Sequence, residues 1–398
     1  MALAAKPIEP AAFDHDLVAA VEALAPLLQR NAAQGEQMRQ LTPETNDALR
    51  QAGIFRMYVP QRFGGFESDL TTQFEVMRTL GTADASTSWV AANNGVISWW
   101  CAHFPDEVQE EVWVDPDVQF CGSVKPFGTL TATKGGYLLN GRFPFQTGSR
   151  HATWDLMTPM RQLDDGTLDP YLVMVPVSEI TILDDWDVAG MSATGSCTVL
   201  ADNVFVPPHR AMRAIAAFAG DYPANSTNDR TLYRCALMPT LYAGSYATPI
   251  GAAQGMLAAW LDWAPQRTFA WDGQSVQRDS PIYHLHAAEA AMKIESALLL
   301  ARQGTALIWD RAERNQPMTQ EERVKARVSV AYATRLAKQV AELLWAVSGA
   351  TASHRNGVLQ RFFRDIEVIT QHAVLDYDCN MALYGRTLFG LAPDSAFL

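Results

Sequence analysis

The sequence lacks the features of several common classes of protein. Its 398 residues contain five cysteines, an odd number that includes no CxxC pair, which favours reduced thiols over a disulfide framework. No run of about 18 apolar residues is long enough to span a bilayer. The start, MALAAKPIEP, meets proline before any apolar stretch typical of a signal peptide. These absences predict a cytoplasmic protein that does not insert into a membrane.

Motifs for phosphate, acyl and metal chemistry are missing as well. The chain has no GxGxxG between a strand and a helix, no GxxxxGK[ST] and no GxSxG, which disfavours dinucleotide-binding, P-loop and serine hydrolase folds. His284 and His286 are two residues apart and would lie on different faces of a helix, so no metal site is predicted. Basic residues are few, since 31 Lys and Arg against 43 Asp and Glu give a net charge of −12. That charge argues against nucleic acid as a partner.

The chain does contain apolar residues in periodic patterns. Hydrophobic residues make up 48% and charged residues 19%, which predicts a folded chain. The length predicts two or three domains, at about 100–200 residues each. Across 14–113 the apolar spacing is helical, and its first members are Leu17, Val18, Val21, Leu24 and Leu28. Thr42-Pro43 predicts the start of a second helix, which ends at Gly53.

The period changes to two in the middle of the chain. Between 117 and 210, runs such as VQFCGSV and YLVMVPV, separated by Gly, Asn and Asp, predict an antiparallel barrel or sandwich. Helical patterns then return over 245–270, 281–314, 319–348 and 362–388. We therefore predict an α+β multidomain fold. Its parts are an N-terminal helical domain (1–115), a central antiparallel β-barrel domain (116–212) and a C-terminal four-helix bundle (213–398).

This order of helical, β and helical segments resembles the acyl-CoA dehydrogenase fold. Four strings, in the right order, are similar to motifs of that superfamily. They are VPQRFGGFESD (59–69), GYLLNGRFPFQTGSRHATW (136–154), GMSATGSCTVLADNVFVPPHR (190–210) and RFFRDIEVITQHA (361–373). The resemblance covers nearly the whole chain.

Within that superfamily the sequence looks most like the two-component flavin-dependent monooxygenases, which include 4-hydroxyphenylacetate hydroxylases, the seco-steroid phenol hydroxylase and dibenzothiophene monooxygenase. DASTSWVAANNGVISWW (84–100) is similar to a helical string of that group, and Arg364-Asp365…His372 is similar to its Arg-Asp…His string. Acyl-CoA dehydrogenases usually carry a catalytic Glu in this loop, whereas ITQHA has no carboxylate before Asp376. Without that base, desaturation is disfavoured.

The resemblance implies an oxygenase component that depends on reduced flavin. Reduced FMN or FAD would arrive by diffusion from a separate NAD(P)H-dependent flavin reductase, which fits the absence of an NAD(P)H fingerprint. Molecular oxygen would be the co-substrate. A C4a-hydroperoxyflavin would then transfer one oxygen atom to an aromatic or heteroaromatic small molecule. The resemblance also implies a homotetramer.

Two residues are predicted to be catalytic. The resemblance implies that His372 orients the substrate or takes its proton, for which imidazole is well suited, and the alternative is a structural histidine. Thr147 matches a position where the family usually has serine. Its hydroxyl would bond the N5/C4a region of the flavin, and the alternative is an ordinary strand threonine.

The other predicted site residues follow from the same resemblance, and each has an alternative role in a core, in a turn or on the surface. The cofactor-binding set is Trp89, Ser123, Thr147, Gly148, Ser149, Thr194, Ser196 and Arg267. The substrate-binding set is Ile97, Trp100, Phe127, Met238 and His372. Ile97 stands where several phenol hydroxylases have histidine. An apolar wall there would suit a flatter, more apolar aromatic substrate.

Two other functions stay open at this stage. The first is an acyl-CoA dehydrogenase or oxidase whose base lies elsewhere, with Glu289 and Glu295 as candidates. The second is a flavin-free binding or scaffold protein on the same fold. Reduction of bound flavin by an acyl-CoA would establish the first, and failure to bind reduced flavin would favour the second.

Overall fold

The computed structural model describes residues 14–224, 229–395 and 398. The chain forms two compact units, and each is made of segments that are distant in the sequence. The first unit, which we call the helical unit, contains the described residues before Ala23 together with Asp69–Ala85 and Met238–Leu398. The second unit, the sheet unit, contains Ala23–Ser68 and Ser86–Leu237. The predicted division into three domains follows the type of element along the chain and stays a prediction.

The elements alternate between the units. The helices are α1 (His15–Met38), α2 (Pro43–Gln51), α3 (Leu70–Ala83), α4 (Ala85–Cys101), α5 (Asp106–Val112), α6 (Ala214–Phe218), α7 (Thr231–Arg234), α8 (Leu237–Ser245), α9 (Ala247–Trp263), α10 (Pro281–Glu313), α11 (Gln320–Ala346), α12 (Val358–Ile369) and α13 (Tyr377–Leu388). The strands are β1 (Phe120–Gly122), β2 (Thr129–Thr133), β3 (Gly136–Gln146), β4 (Trp154–Met157), β5 (Met160–Gln162), β6 (Leu168–Pro176), β7 (Thr181–Ile182), β8 (Cys197–Val206) and β9 (Ala211–Arg213). Within the described part of the chain, no helix is both long enough and apolar enough to cross a bilayer.

The start of α2 confirms the prediction made from Thr42-Pro43. Thr42 is the N-cap, and its Oγ1 accepts a hydrogen bond from the backbone N–H of Thr45 at 3.2 Å. Pro43 occupies the first turn, where its missing N–H costs nothing. After the helix, Gly53 has φ +74°, a conformation that glycine adopts without strain.

The strands form one sheet of nine strands in the order β1-β4-β6-β5-β2-β3-β8-β7, with β9 paired to β6. Among the described residues, six of the eight strand pairings are antiparallel, as predicted, but β1 pairs with β4 and β2 with β5 in parallel, so the sheet is mixed. Side-chain periodicity reports which face of a strand is buried and not the direction of its neighbour. In the order of the sheet, β4 and β8 are separated by β6, β5, β2 and β3. Met157 on β4 and Val204 on β8 nevertheless belong to the same apolar core. The sheet therefore curls around its inner face.

The helical unit is a bundle in which α9, α10, α11 and α12 pack on one another, and α3 packs along α9. The bundle is therefore larger than the four helices predicted. The fourth predicted helix, 362–388, is in fact two helices, because α12 ends at Ile369 and α13 begins at Tyr377. Asp376 starts α13 as its N-cap by accepting a hydrogen bond from the Cys379 N–H at 2.7 Å.

Two glycines one turn apart on α9 allow α3 to come close. A Cβ added at Gly251 would overlap the carbonyl oxygen of Arg78, and one added at Gly255 would overlap that of Thr82. The two helix backbones are therefore in direct contact, and any larger side chain at either glycine must push them apart.

We expect Gly251→Val to destabilise the protein by about 3 kcal/mol or more, because the side chain has no space and neighbouring backbone must move. The melting temperature measures this. Gly385→Ala is the matched control, since a Cβ at that helical glycine meets nothing within 4 Å. An equal melting temperature for Gly251→Val and the wild type would show that the helices are not in contact.

Candidate active site

The ends of two paired strands bring together most of the predicted flavin-binding residues of the sheet unit. Gln146 at the end of β3 pairs with Cys197 at the start of β8. The loop that follows β3 and the loop that precedes β8 therefore lie side by side. Thr147, Thr194 and Ser196 on these loops are all buried, and we call them the hydroxyl cluster.

The three hydroxyls form a continuous hydrogen-bonded chain. Thr147 Oγ1 lies 2.9 Å from Ser196 Oγ, and Ser196 Oγ lies 2.8 Å from Thr194 Oγ1. Thr194 Oγ1 donates to the carbonyl oxygen of Met191 at 2.7 Å. The chain thus runs from the loop after β3 to a backbone carbonyl of the loop before β8.

The backbone is strained at two residues that are not glycine, one near the end of β3 and one in the loop before β8. Phe145 has φ +64° and Met191 has φ +56°, in a region that side chains disfavour. Such strain persists only where the surroundings over-determine it, and it concentrates at functional sites. Gly148, with φ +76°, donates its N–H to the carbonyl oxygen of Thr194 at 2.9 Å and so ties the loops together.

Helix α4 packs against Gly148 and against strand β1. A Cβ at Gly148 would lie 3.3 Å from Val90 Cγ1 on α4 and 4.0 Å from the carbonyl oxygen of Phe120 on β1. The Phe120 N–H also donates to Asn94 Oδ1 on α4 at 2.7 Å, which holds the helix against the strand. Trp89, the neighbour of Val90, is half-buried.

Two of the predicted serines make hydrogen bonds within the protein. Ser149 is fully buried and its Oγ donates to the carbonyl oxygen of Gly195 at 3.0 Å. Ser123 is half-buried just after β1, and its Oγ accepts from the Lys125 N–H at 3.3 Å. The cofactor role of both side chains stays a prediction.

The predicted substrate residues of the sheet unit occupy different surroundings. Ile97 is buried on α4, and its Cδ1 lies 2.8 Å from where a Cβ at Gly122 would be, directly before Ser123. Trp100 is fully buried, with its ring edge-on to Phe218 at 5.8 Å between centroids. Phe127 is partly buried and packs against the core of the sheet.

The remaining predicted residues, Met238, Arg267 and His372, belong to the helical unit. Met238 is buried in α8. Arg267 donates from its guanidinium to Thr351 Oγ1 at 2.7 Å and lies over the ring of Trp263, 5.1 Å from the centroid. These contacts hold the arginine within its own unit, and its role toward a phosphate stays a prediction.

His372 follows α12 and has an exposed side chain. Desolvation by the surrounding protein nevertheless lowers its pKa to about 4. The imidazole is therefore neutral at physiological pH, with one nitrogen that carries a proton and one that does not.

Sequence reasoning missed a buried carboxyl group in the sheet. Asp155 on β4 is fully buried opposite Cys121 on β1 and Val175 on β6. Burial raises the pKa of its carboxyl to about 7. Asp155 is two residues before Met157 on the same strand and so shares the face that packs into the core of the sheet.

Sequence reasoning also missed a group of potential metal ligands in the sheet unit. Glu107 and Glu111 on α5 and His209 each offer a ligand atom, and these atoms lie within 4.8 Å of one another. His209 is about a hundred residues away in the sequence, so spacing could not reveal it. Arg210 Nε already binds Glu111 Oε2 at 2.7 Å, and His209 Nε2 lies 2.8 Å from Glu111 Oε1. We assign no metal to this group.

Comparison with known proteins agrees with the fold. Residues 17–118 match the family model described as the acyl-CoA dehydrogenase N-terminal domain. Residues 243–377 match the one described as the acyl-CoA dehydrogenase C-terminal domain. The class is therefore that of proteins with an acyl-CoA dehydrogenase fold.

Similar proteins within that class are flavin-dependent oxygenases. The chain is 33% identical over 385 residues to the flavin-dependent monooxygenase oxygenase subunit HsaA of Mycobacterium tuberculosis, covering 95% of this chain and 96% of the relative. It is 29% identical over 391 residues to the FADH(2)-dependent resorcinol hydroxylase oxygenase component of a Rhizobium species, covering 96% of each. The structure of XiaF from a Streptomyces species, in complex with FADH2 and glycerol, matches with a TM-score of 0.90 at 29% identity, covering 96% of this chain and 97% of that one. The chain belongs to the family of flavin-dependent monooxygenase oxygenase components and is an enzyme that depends on reduced flavin.

Proposed function

We propose that this enzyme transfers one oxygen atom to an aromatic or heteroaromatic small molecule. The observation that carries the proposal is the buried hydroxyl cluster on strained loops, in a chain of the flavin-dependent oxygenase family. A relative that aligns over 96% of both chains is named as a resorcinol hydroxylase, which supports an aromatic substrate. The resemblance implies that Ile97 stands where several phenol hydroxylases have histidine, and an apolar side chain there favours a flat and apolar substrate.

The residues of the two loops fit a flavin. The polar edge of the isoalloxazine ring needs hydrogen-bond partners in a dry environment, and buried hydroxyls with fixed positions supply them. Thr147 would bond the N5 side of the ring, and Gly148 beside it lets α4 pack closely against the loop, since a Cβ there would lie 3.3 Å from Val90 Cγ1. The reduced flavin supplies, when bound, the electrons that activate molecular oxygen.

His372 would bind the substrate. A neutral imidazole accepts a hydrogen bond from a phenolic hydroxyl or an N–H group and so orients the ring that is to be oxidised. The lowered pKa keeps that acceptor nitrogen free of a proton over the physiological range.

We propose three further properties on the same resemblance. A separate NAD(P)H-dependent reductase delivers FMN or FAD in reduced form by diffusion. The oxygenase is a homotetramer and is cytoplasmic. The comparisons favour this function over an acyl-CoA dehydrogenase. Glu289 and Glu295, the relocated bases considered for that alternative, are both exposed on α10, and Glu289 pairs with Lys293 at 3.4 Å.

The test is anaerobic titration with reduced FMN and reduced FAD, followed by an oxygen pulse in the presence of a panel of phenols, indoles and thiophenes. We expect tight binding of at least one reduced flavin and an oxygenated product from at least one aromatic compound. Reduction of the bound oxidised flavin by an acyl-CoA, with no oxygenated product from any aromatic, would contradict the proposal.

A further inference from the structure

The direction of the hydrogen bonds in the hydroxyl cluster follows from counting protons. Each hydroxyl has one proton to donate and two lone pairs to accept with. Thr194 Oγ1 lies 2.7 Å from the carbonyl oxygen of Met191, and a carbonyl can only accept, so Thr194 uses its proton there. Thr194 Oγ1 must therefore be the acceptor in its contact with Ser196.

The same argument applies to Ser196 and then to Thr147. Ser196 donates its proton to Thr194 Oγ1 at 2.8 Å and becomes the acceptor toward Thr147. Thr147 then donates its proton to Ser196 Oγ at 2.9 Å. All three side chains are buried, so no bulk water competes for these protons. Thr147 Oγ1 is left with lone pairs and no proton to offer to a further partner.

We propose that Ser196 and Thr194 are positioning residues that hold Thr147 Oγ1 as a hydrogen-bond acceptor, and that this selects reduced over oxidised flavin. The inference rests on the proposed function, in which Thr147 faces flavin N5. Reduced flavin has a proton on N5 and can donate to Thr147. Oxidised flavin has only a lone pair on N5, which would face a second lone pair.

Without the hydrogen bonds of Ser196 and Thr194, the threonine would not discriminate between reduced and oxidised flavin. Its hydroxyl could turn and donate to N5 of the oxidised flavin, or accept from N5–H of the reduced one. The hydrogen bonds that run from Thr147 through Ser196 and Thr194 to the Met191 carbonyl prevent Thr147 from donating to N5 of the oxidised flavin. An oxygenase that receives its flavin by diffusion gains from this, because oxidised flavin leaves the site and reduced flavin stays.

The test compares dissociation constants of one flavin in both redox states, measured anaerobically by fluorescence or absorbance titration. Ser196→Ala removes the acceptor of the Thr147 proton and frees that hydroxyl to turn. We expect the ratio of the oxidised to the reduced dissociation constant to fall by about tenfold, mainly through tighter binding of oxidised flavin. A purely structural role would weaken both states alike and leave the ratio unchanged.

Two further variants make the test specific. Thr147→Val removes the responding hydroxyl, so adding Ser196→Ala to it should not change the ratio again. Ser192→Ala is the matched control, because Ser192 is buried in the same loop but its Oγ donates to the carbonyl oxygen of Val188 at 3.0 Å, outside the chain of hydroxyls. It should leave the ratio at the wild-type value.

The outcomes separate the inference from the proposed function. A wild-type enzyme that binds reduced flavin no better than oxidised flavin overturns the inference. So does an unchanged ratio in Ser196→Ala when the wild type does discriminate, and in that case the proposed function stands. A wild type that binds neither redox state overturns the proposed function as well.

Discussion

Replacing His372 with alanine is expected to reduce product formation by about 100-fold or more, the range in which a positioned acid–base group contributes. The dissociation constant of reduced flavin should stay close to the wild-type value, because the imidazole binds the substrate. Both quantities are measured on the same preparation, the first by product analysis with a separate reductase and the second by anaerobic titration. Equal losses in both would show that His372 is a cofactor or structural residue.

The pH dependence gives a second measurement of the same role. The active form has a neutral imidazole, and its pKa of about 4 lies below the ordinary value. The contribution of His372 to kcat/KM should therefore be constant from neutral pH down to about pH 5. This contribution should be lost as pH falls through about 4. A decrease in kcat/KM centred near pH 6.5 would contradict the lowered pKa.

Two variants control for an indirect effect of the His372 substitution. His372→Asn retains an acceptor and a donor and should recover part of the activity lost in the alanine variant. His354→Ala removes another exposed histidine of the helical unit and should leave product formation unchanged. Failure of His372→Asn to exceed His372→Ala would mean that hydrogen bonding is not what the imidazole provides.

Asp155→Asn is expected to stabilise the protein at pH 8 and to have little effect near pH 4. The pKa of the folded state is about 7, against an ordinary value of 3.8, because burial disfavours the charge. The native state keeps a proton that the unfolded chain loses between these values, so stability falls as pH rises from about 4 to about 7. Removing the titrating group recovers at most about 4 kcal/mol above pH 7.

Melting temperatures at pH 4.5 and pH 8 measure this effect. Asp155→Leu has a similar shape without amide donors, and it should show the same dependence on pH. Asp164→Asn replaces an exposed carboxylate and corrects for the change in net charge. A difference between Asp155→Asn and the wild type that is the same at both pH values would show that the buried carboxyl does not titrate in this range.

The sequence predicted elements well where local chemistry determines them. Thr42-Pro43 located the start of α2 because an N-cap and a proline in the first turn act through adjacent atoms. The bundle helices α10 and α11 lie within the predicted ranges, since long apolar periodicity survives tertiary packing. The break between α12 and α13 was missed, because Asp376 acts as an N-cap inside a continuous apolar pattern.

The site was predictable only as far as similarity to known motifs reached. Thr147, Thr194 and Ser196 were chosen individually for their position in two strings, and nothing in either string showed that their hydroxyls are joined. That connection depends on the pairing of Gln146 with Cys197, a contact between residues 51 positions apart. Asp155 was missed for a different reason, since charged residues are rarely buried and an alternating strand usually turns them outward.

The close contact of α3 with α9 cannot form until much of the enzyme has been synthesised. Ala83 ends α3 and Ala247 begins α9, so about 160 residues must leave the ribosome before α3 meets its partner. At roughly 5–20 residues per second that interval is on the order of ten seconds or more. Nearly every side chain of α3 is buried in the finished protein, including Phe74, Val76 and Met77. A nascent chain therefore carries α3 without its partner helix for about two-fifths of its synthesis, and the face of α3 that is later buried is where chaperone binding and aggregation should begin.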